Sequence, residues 1–293
     1  MSTFSRRQLG SLLTGALGGI ACSTSPKDAA TTSVEPAGAP ARKRIPIAVE
    51  SWCFKELLAQ DPEGIIAQVA EMGYEGIELA HYYRWDSLTA PRVRKALDAN
   101  KLRCCSSHVN LESLTGDALS KTLEYHHTIG NTVLIVASLP HQEAAQGWLD
   151  MAKRFREMAG TLGEHQMRLG YHNHAGDFVP MADGQVPWEV FFNHTPENVI
   201  HQLDVGNMPK EYQDPIKYLK MYPGRTQSIH VKDRSAEHEQ VLVGDGVLPF
   251  RDIFDLCSTI GGTEWYIVEY EDKAYPPMEA VRRCLESMKR ILA

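Results

Sequence analysis

The stretch NTVLIVAS, residues 131–138, is a nearly continuous apolar run. A long amphipathic segment that ends near Gln166 follows it, and then RLGYHNH, residues 168–174. Short apolar runs of this kind are typical of strands that are buried on both faces, as they are in parallel sheets. Two parallel strands need a crossover between them, which is usually a helix. These residues therefore predict a strand–helix–strand unit whose helix covers the sheet.

The same alternation occurs eight times. The predicted strand regions are IPIAVESW (45–52), GIELAH (76–81), RCCSSHV (103–109), NTVLIVAS (131–138), RLGYHNH (168–174), VIHQLDVGN (199–207), TQSIHVKD (226–233) and EWYIVEYE (264–271). Eight such units in about 250 residues match a closed (β/α)8 barrel. An open doubly wound sheet is the alternative, but no GxGxxG loop follows the first strand. We therefore predict an α/β fold, a TIM barrel, over residues 45–293.

The beginning of the chain is a different kind of sequence. Arg6 and Arg7 precede an apolar run of small residues that is short for a bilayer span and has the length of a signal h-region. Residues 1–22 are therefore predicted to be an export signal of the twin-arginine type. Cys22 follows part of a lipoprotein box, so a lipid that anchors the protein to the membrane is left open.

Residues 23–44 are rich in Ser, Thr, Ala and Pro and have almost no bulky apolar side chains. Such a segment cannot bury enough surface to fold, so we predict a disordered linker. Together with the signal, it indicates an exported, periplasmic protein, either free or tethered as a lipoprotein.

Net charge and cysteine usage limit the function further. The formal net charge is −7 and becomes more negative if the leader is removed. An acidic protein is a poor candidate for nucleic-acid binding, which depends on Lys and Arg. Beyond Cys22 the cysteines form no CxxC pair, so neither a disulfide framework nor a sulfur-bound zinc is indicated. We expect them to be mostly buried small apolar residues: Cys53, Cys104, Cys105, Cys257 and Cys284.

Four metal-ligand side chains stand at the ends of the last four predicted strands: His172, Asp204, His230 and Glu269. The carboxyl ends of parallel barrel strands meet at one rim, so these groups should converge. Glu269 is in phase with Ile267, and burial of Ile267 would turn Glu269 inward. Two imidazoles and two carboxylates suit one divalent metal ion. Mn or Co is the preferred ion, and Zn and Mg are left open.

Other polar residues fall near the same rim. Five histidines lie at predicted carboxyl ends of strands: His81, His108, His172, His174 and His230. Lys232 follows a candidate ligand, and a nearby cation together with desolvation would lower its pKa and make it an acid or base. A loop salt bridge is the alternative for Lys232.

Aromatic and acidic residues near the rim are candidate substrate contacts. Trp52 and Trp85 follow the first two strands and would either stack on a sugar or pack in the core. Asp177 is a candidate contact for sugar hydroxyls.

The motifs GYHNHAGDF (170–178), QLDVGN (202–207), IHVKD (229–233) and VEYE (268–271), in this order, resemble the xylose isomerase-like TIM-barrel family, the sugar phosphate isomerases/epimerases. The resemblance extends over the chain from Ile45 onward. It implies metal ligands from barrel strands five to eight, which match His172, Asp204, His230 and Glu269. It also implies substrate-facing roles for Glu78, His108 and His174.

One position departs from the family pattern. Sugar epimerases of this family typically carry Glu where His172 stands, and two metal-bound glutamates there pass a proton across the substrate. Only Glu269 of that pair is present here. Either another base serves the opposite face, or the reaction is one-sided.

The sequence therefore predicts a divalent-metal-dependent sugar isomerase/epimerase that acts on a keto-sugar through an enediolate. Glu269 is the candidate base, and Lys232 or His174 supplies a proton. The first alternative is a metal-dependent lyase or dehydratase on a keto-sugar or keto-glycoside. A non-catalytic sugar-binding barrel is another, and a DNA-repair endonuclease of the same fold is disfavoured by acidity and export. Oligomeric state is not indicated.

Overall fold

A closed barrel of parallel strands forms the centre of the protein. The computed structural model describes residues 43–80 and 84–293. Within them each strand pairs with the next, and the eighth pairs with the first. The strands are β1 (Ile47–Glu50), β2 (Gly76–Ala80), β3 (Arg103–Val109), β4 (Val133–Val136), β5 (Arg168–His172), β6 (Ile200–Asp204), β7 (Ser228–Val231) and β8 (Trp265–Val268). The predicted TIM barrel is confirmed.

Helices cover the outside of the barrel. They are α1 (Lys55–Gln60), α2 (Pro62–Met72), α3 (Ala90–Asn100), α4 (Gly116–Ile129), α5 (Ala145–Glu164), α6 (Pro187–His194), α7 (Pro215–Met221), α8 (Phe250–Thr259) and α9 (Pro277–Leu292). Helix α2 begins where Asp61 accepts a hydrogen bond from the amide of Gly64. It ends at Gly73, whose φ of 95° favours glycine.

Several predicted strand regions are longer than the strands themselves. Strand β5 stops at His172, and β8 stops one residue before Glu269. The remaining residues of each predicted region leave the ladder and begin the loops at the carboxyl rim. Some predicted rim residues therefore lie on loops, while the ligand candidates stay at or next to strand ends.

The predicted export signal (1–22) lies outside the described residues, as do His81 and nearly all of the predicted linker (23–44). Export, lipidation of Cys22 and disorder of the linker therefore stay predictions. In the part of the chain that the structure describes, none of the helices combines the length and the apolar character that a membrane span requires.

Strand alternation divides the core into an outer and an inner part. Leu134 and Val136 belong to the large cluster between the barrel and its helices. Val133 and Ile135, which alternate with them, form a separate small cluster with Ile200. Because successive side chains of a strand point to opposite faces, the cluster of Val133, Ile135 and Ile200 lies inside the barrel.

A second inner cluster consists of Ala48, Cys105, Trp265 and Ile267. The Trp265 ring fills so much of this space that a Cβ added to Gly76 would come within 2.6 Å of it. Apolar side chains therefore fill the part of the barrel below the strand ends, and the polar site lies above them.

The described cysteines agree with the sequence-based expectation. All are buried and none forms a disulfide: Cys53, Cys104, Cys105, Cys257 and Cys284.

Candidate metal centre

Polar side chains fill the barrel interior near the carboxyl ends of the strands. None of them is more than 5% exposed: Glu50, Glu78, Ser106, His108, His172, Gln202, Asp204, His230 and Glu269. Burying so many ionisable groups is costly unless they bind one another or an ion. The carboxyl end of a TIM barrel is also where its active sites lie.

The four ligand candidates converge at this place. Each of them offers one donor atom, and these atoms all lie within 4.8 Å of one another: His172, Asp204, His230 and Glu269. They come from β5, β6, β7 and the residue after β8, as the strand order requires. The predicted convergence is thus found in the structure, and binding of an ion by these residues stays a prediction.

Asp204 carries the clearest sign of a missing partner. Its Oδ1 accepts hydrogen bonds from the amides of Gly206 at 2.8 Å and Asn207 at 2.9 Å. Its Oδ2 is buried and has no hydrogen-bond partner. Burial, together with the nearby Glu269, raises the pKa of Asp204 to about 7. A cation at Oδ2 would remove both penalties, because it would bind the oxygen that has no partner and pair with the carboxylate charge.

His172 directs its ring nitrogen Nε2 towards Asp204 Oδ2. Its Nδ1 lies 3.1 Å from Gln202 Oε1, and its Nε2 lies 4.0 Å from Asp204 Oδ2. Burial and the neighbouring His230 lower the pKa of His172 well below its usual value. The ring is therefore neutral at physiological pH, which is the form that binds metals.

His230 lies between two carboxylates. Its Nε2 is 2.6 Å from Glu78 Oε2, and its Nδ1 is 2.6 Å from Glu269 Oε2. Burial opposes a charged ring, but the two carboxylates outweigh it and raise the pKa of His230 well above its usual value. In the absence of an ion the ring carries two protons, and one of them stands where an ion would bind.

Lys232 is the cation beside Glu269. Its Nζ donates to Glu269 Oε1 at 3.0 Å and also contacts Glu271. Burial alone raises the pKa of the Glu269 carboxyl, but Lys232 and His230 hold it well below its usual range. Burial lowers the pKa of Lys232, and the surrounding carboxylates, Glu269 first, raise it above its usual value. This direction is opposite to the depression expected beside a metal ion, because carboxylates dominate the surroundings of Lys232.

The residues present fit a divalent ion. A neutral imidazole nitrogen and an unpaired carboxylate oxygen face each other across 4.0 Å. Both are donor types that divalent ions take in proteins. Two nitrogen and two oxygen donors suit Mn, Fe, Co or Zn, and geometry and supply decide among them.

Asp233 fixes the loop after β7. Its carboxylate accepts from the amides of Arg234 at 2.8 Å, Gly244 at 2.9 Å and Gly246 at 3.0 Å. This one side chain therefore ties both ends of the loop to the strand that carries His230. Lys232 precedes Asp233 directly, so its direction into the site is fixed as well.

Glu78 lies below the ligand group. It is 0% exposed. Its Oε2 contacts His230, and its Oε1 accepts from Ser106 Oγ at 2.5 Å and Gln202 Nε2 at 2.8 Å. Both oxygens are thus engaged within the protein. In this position Glu78 supports the candidate ligand His230, and the substrate-facing role implied for Glu78 stays a prediction.

His108 is closer to the open end of the site. Its Nδ1 lies 2.9 Å from Glu50 Oε1, and its Nε2 lies 2.7 Å from Gln202 Oε1. Burial opposes a charged ring, but Glu78 and Glu50 raise the pKa of His108 to about 9. His108 also lines a cavity of about 370 Å³ together with Asn110 and Ser138. Substrate contact by His108 stays a prediction.

His174 and Asp177 belong to the loop after β5. His174 caps the turn Ala175–Phe178, and its ring packs edge-on against His172 with 5.2 Å between centroids. Burial lowers the pKa of His174, so it is a neutral base. Asp177 Oδ2 accepts from the amide of His174 at 2.8 Å and from Tyr171 Oη at 2.9 Å. These bonds hold the loop, and contact of Asp177 with substrate hydroxyls stays a prediction.

The two tryptophans lie at the sides of the rim. Trp52 donates from Nε1 to Glu271 Oε2 at 2.8 Å, and Lys55 Nζ lies 3.2 Å from its ring centroid. One face of this ring is therefore covered by a cation. Trp85 packs against the large apolar core. Packing accounts for Trp85, and stacking of Trp52 on a sugar stays a prediction.

Glu50 and Gln202 are among the residues of this site that sequence reasoning missed. Gln202 stands two positions before Asp204, so it shares the inward face of β6. Glu50 is likewise two positions after Ala48 on β1. The two-residue period that turned Glu269 inward with Ile267 would have identified Glu50 and Gln202 if it had been applied to every strand.

Comparisons with known proteins give the same overall assignment. A family model described as xylose isomerase-like TIM barrel matches residues 66–291. An inosose dehydratase of Geobacillus kaustophilus is 25% identical over 276 residues, which cover 78% of this chain and 87% of that protein. An inosose dehydratase of Clostridium botulinum is 22% identical over 250 residues, covering 71% and 82%.

Among solved structures, a sugar phosphate isomerase/epimerase from Parabacteroides distasonis matches with a TM-score of 0.70 and 24% identity. The match covers 86% of this chain and 96% of that one. At this identity the likeness shows a shared fold.

Proposed function

The chain belongs to the xylose isomerase-like TIM-barrel family, and from this premise we propose that it is a divalent-metal-dependent lyase. Its substrate is a small cyclic polyhydroxy ketone. The enzyme removes a proton from the carbon beside the carbonyl and expels a substituent from the next carbon. The class of enzyme and the substrate are both part of this proposal.

We assign a divalent ion to the four convergent side chains, which would hold it together: His172, Asp204, His230 and Glu269. A divalent ion held there supplies Lewis-acid chemistry that favours negative charge on a ketone oxygen.

Glu269 is the base in this proposal. Its pKa lies well below the usual range, so it is ionised at neutral pH and able to accept a proton. When the proton leaves carbon, its electron pair forms a carbon–carbon double bond, and the carbonyl oxygen becomes negative. That oxygen then restores its double bond, the electron pair of the carbon–carbon double bond moves to form a double bond to the next carbon, and the bond from that carbon to its hydroxyl breaks.

The departing hydroxyl needs a proton, and in this proposal Lys232 gives it, because proton transfer to Glu269 removes the charge that raises the pKa of Lys232 most. Its Nζ lies 3.0 Å from Glu269 Oε1, so donor and base stand side by side. Water then leaves, and no outside oxidant or reductant is needed. General acid–base catalysis of this kind contributes about 10²–10⁴-fold to a rate.

The observation that carries elimination rather than epimerisation is the imidazole at position 172. Strand β5 contributes an imidazole, His172, to the group of four candidate ligands. The carboxylates of that group are Asp204 and Glu269. The symmetric pair of glutamates that epimerases of the family use is incomplete. The curated relatives named above are dehydratases, which also supports a lyase. We therefore prefer elimination to isomerisation or epimerisation, which was the function predicted first from the sequence.

Epimerisation or isomerisation is the second candidate. His174 follows β5 and Glu269 follows β8, so two strands separate their origins around the barrel. A neutral His174 on one side and Glu269 on the other would form an asymmetric pair of bases. This arrangement would allow a proton to be removed on one face and returned on the other.

The test is proton NMR in deuterated water on the Mn²⁺-loaded enzyme, with inososes and 3-keto sugars as substrates. A lyase produces an unsaturated ketone or its enol tautomer, with loss of water. An epimerase or isomerase keeps the formula of the substrate and introduces deuterium on carbon. Binding without exchange or product would indicate a non-catalytic sugar-binding barrel and overturn the enzymatic proposal.

A further inference from the structure

The two candidate histidine ligands are supported from below by a pair of residues. Glu78 and Gln202 are both fully buried and are joined by a bond of 2.8 Å from Gln202 Nε2 to Glu78 Oε1. Glu78 contacts His230, and Gln202 contacts His172. Glu78 and Gln202 are therefore a connected pair that contacts the rings of both candidate histidine ligands.

Glu78 determines which way the Gln202 amide points. An ionised carboxylate only accepts hydrogen bonds, so the group that faces Glu78 Oε1 must be the NH₂ of Gln202. The same NH₂ also donates to Ser228 Oγ at 3.0 Å. The carbonyl oxygen Oε1 of Gln202 is thereby directed to the other side, towards the imidazoles.

The direction of the amide determines the tautomer of His172. Gln202 Oε1 only accepts, and it lies 3.1 Å from Nδ1 of His172. The proton of a neutral His172 ring therefore resides on Nδ1. The lone pair is then on Nε2, the nitrogen that faces Asp204 Oδ2 at 4.0 Å.

Glu78 acts on His230 in the same way. Its Oε2 accepts from Nε2 of His230 at 2.6 Å, so that nitrogen keeps its proton. The nitrogen left for an ion is Nδ1, which faces Glu269 Oε2. Metal-bound histidines commonly have their second nitrogen held in this manner, which fixes the tautomer and the direction of the ring.

We infer that Glu78 and Gln202 form a positioning unit that makes His172 bind a divalent ion through Nε2 and His230 through Nδ1. The inference rests on the metal site of the proposed function. The two histidines would therefore bind the same ion through different ring nitrogens. It also explains why a carboxylate and an amide are buried below the ligands without reaching the cavity.

The direct experiment is long-range ¹H–¹⁵N NMR on the full chain labelled with [¹⁵N]histidine and loaded with Zn²⁺. We expect a protonated Nδ1 and a metal-bound Nε2 for His172, and the reverse for His230. Each ring is assigned through correlations to its own side chain and backbone in a sample that is also labelled with ¹³C. Coordination of His172 through Nδ1, or of His230 through Nε2, would overturn the inference without any further variant.

Metal affinity gives a second measurement. Gln202→Met and Glu78→Gln should each weaken Zn²⁺ binding by about 10–100-fold, measured by competition with a chelator. Ser228→Ala is the matched control, since Ser228 Oγ accepts from the Gln202 amide and, among the described side-chain hydrogen bonds, none joins it to either histidine. Its Zn²⁺ affinity should stay within about threefold of the unaltered protein.

Failure of the inference and failure of the metal site are distinguishable. If the unaltered protein binds no ion, the proposed metal site falls, and the inference falls with it. If the protein binds an ion and Gln202→Met binds it equally well, only the positioning unit is refuted. Far-UV circular dichroism of each variant establishes that the barrel is folded before affinity is compared.

Discussion

His230 and Glu78 are joined by a 2.6 Å contact between Nε2 and Oε2, although they come from strands β7 and β2 on different sides of the barrel. The other nitrogen of His230 lies at the same distance from Glu269. The ring is thus held at both ends by carboxylates. This contact across the barrel links the candidate metal centre to the fully buried residues below it.

Metal binding should release a proton. Two carboxylates at 2.6 Å keep both nitrogens of His230 protonated in the metal-free protein, and an ion must displace one of these protons. Calorimetric titration with Mn²⁺ at pH 7 in buffers of different ionisation enthalpy should show release of about one proton or more per ion. Heats that do not depend on the buffer would contradict the assignment of His230 as a ligand.

Lys232→Met should keep the metal and lose rate. Its Nζ lies 3.0 Å from the proposed base, so its removal takes away the proton donor while the four ligand candidates remain. Turnover should fall by about 10²–10⁴-fold at unchanged metal content. Lys217→Met is a suitable control, because Lys217 also pairs with a glutamate but lies on the exposed surface. An unaltered rate for Lys232→Met would remove the residue from the mechanism.

Asp177→Asn should stabilise the protein at neutral pH and have less effect in acid. Burial raises the pKa of Asp177 from its usual 3.8 to about 6. The folded state therefore favours the protonated acid. The contribution of protonated Asp177 to the free energy of unfolding is fully present below about pH 4 and is lost as the pH rises through 6. Near pH 7.5 the penalty is at most about 3 kcal/mol, from about 1.4 kcal/mol per pKa unit.

Asparagine keeps an oxygen acceptor for the two bonds of Asp177, so the variant removes mainly the charge. Urea unfolding at pH 4 and at pH 7.5 measures the effect. Asp183→Asn, an exposed change in the same loop, should alter stability equally at both pH values. If Asp177→Asn increased the free energy of unfolding by the same amount at both pH values, the raised pKa of Asp177 would be refuted.

The sequence predicted the barrel because its signals are local. Apolar runs such as residues 131–138 are complete within a few residues, and Gly73 ends its helix through its own backbone conformation. The placement of Glu269 followed from its phase with Ile267, and the structure has it buried at the end of β8. Each of these inferences needs only neighbouring residues and the strand or helix period.

The partners of the site residues were not predictable in the same way. Glu78 contacts His230 from a position 152 residues away in the chain, and Gln202 contacts Glu78 from 124 residues away. Nothing in the local pattern around Glu78 shows that its carboxylate turns to another strand instead of to the cavity. Lys232 is similar, since the direction of its pKa shift depends on carboxylates from other strands.

The most direct test of the metal centre is the Mn²⁺ content of the full chain after equilibrium dialysis, compared with Asp204→Ala and His230→Ala. Asp204 has a buried oxygen without a hydrogen-bond partner, and His230 contacts carboxylates through both of its nitrogens. We predict about one ion per chain for the unaltered protein and almost none for either variant, with all three folded. Equal, stoichiometric binding by the variants, or none by the unaltered protein, would contradict the account.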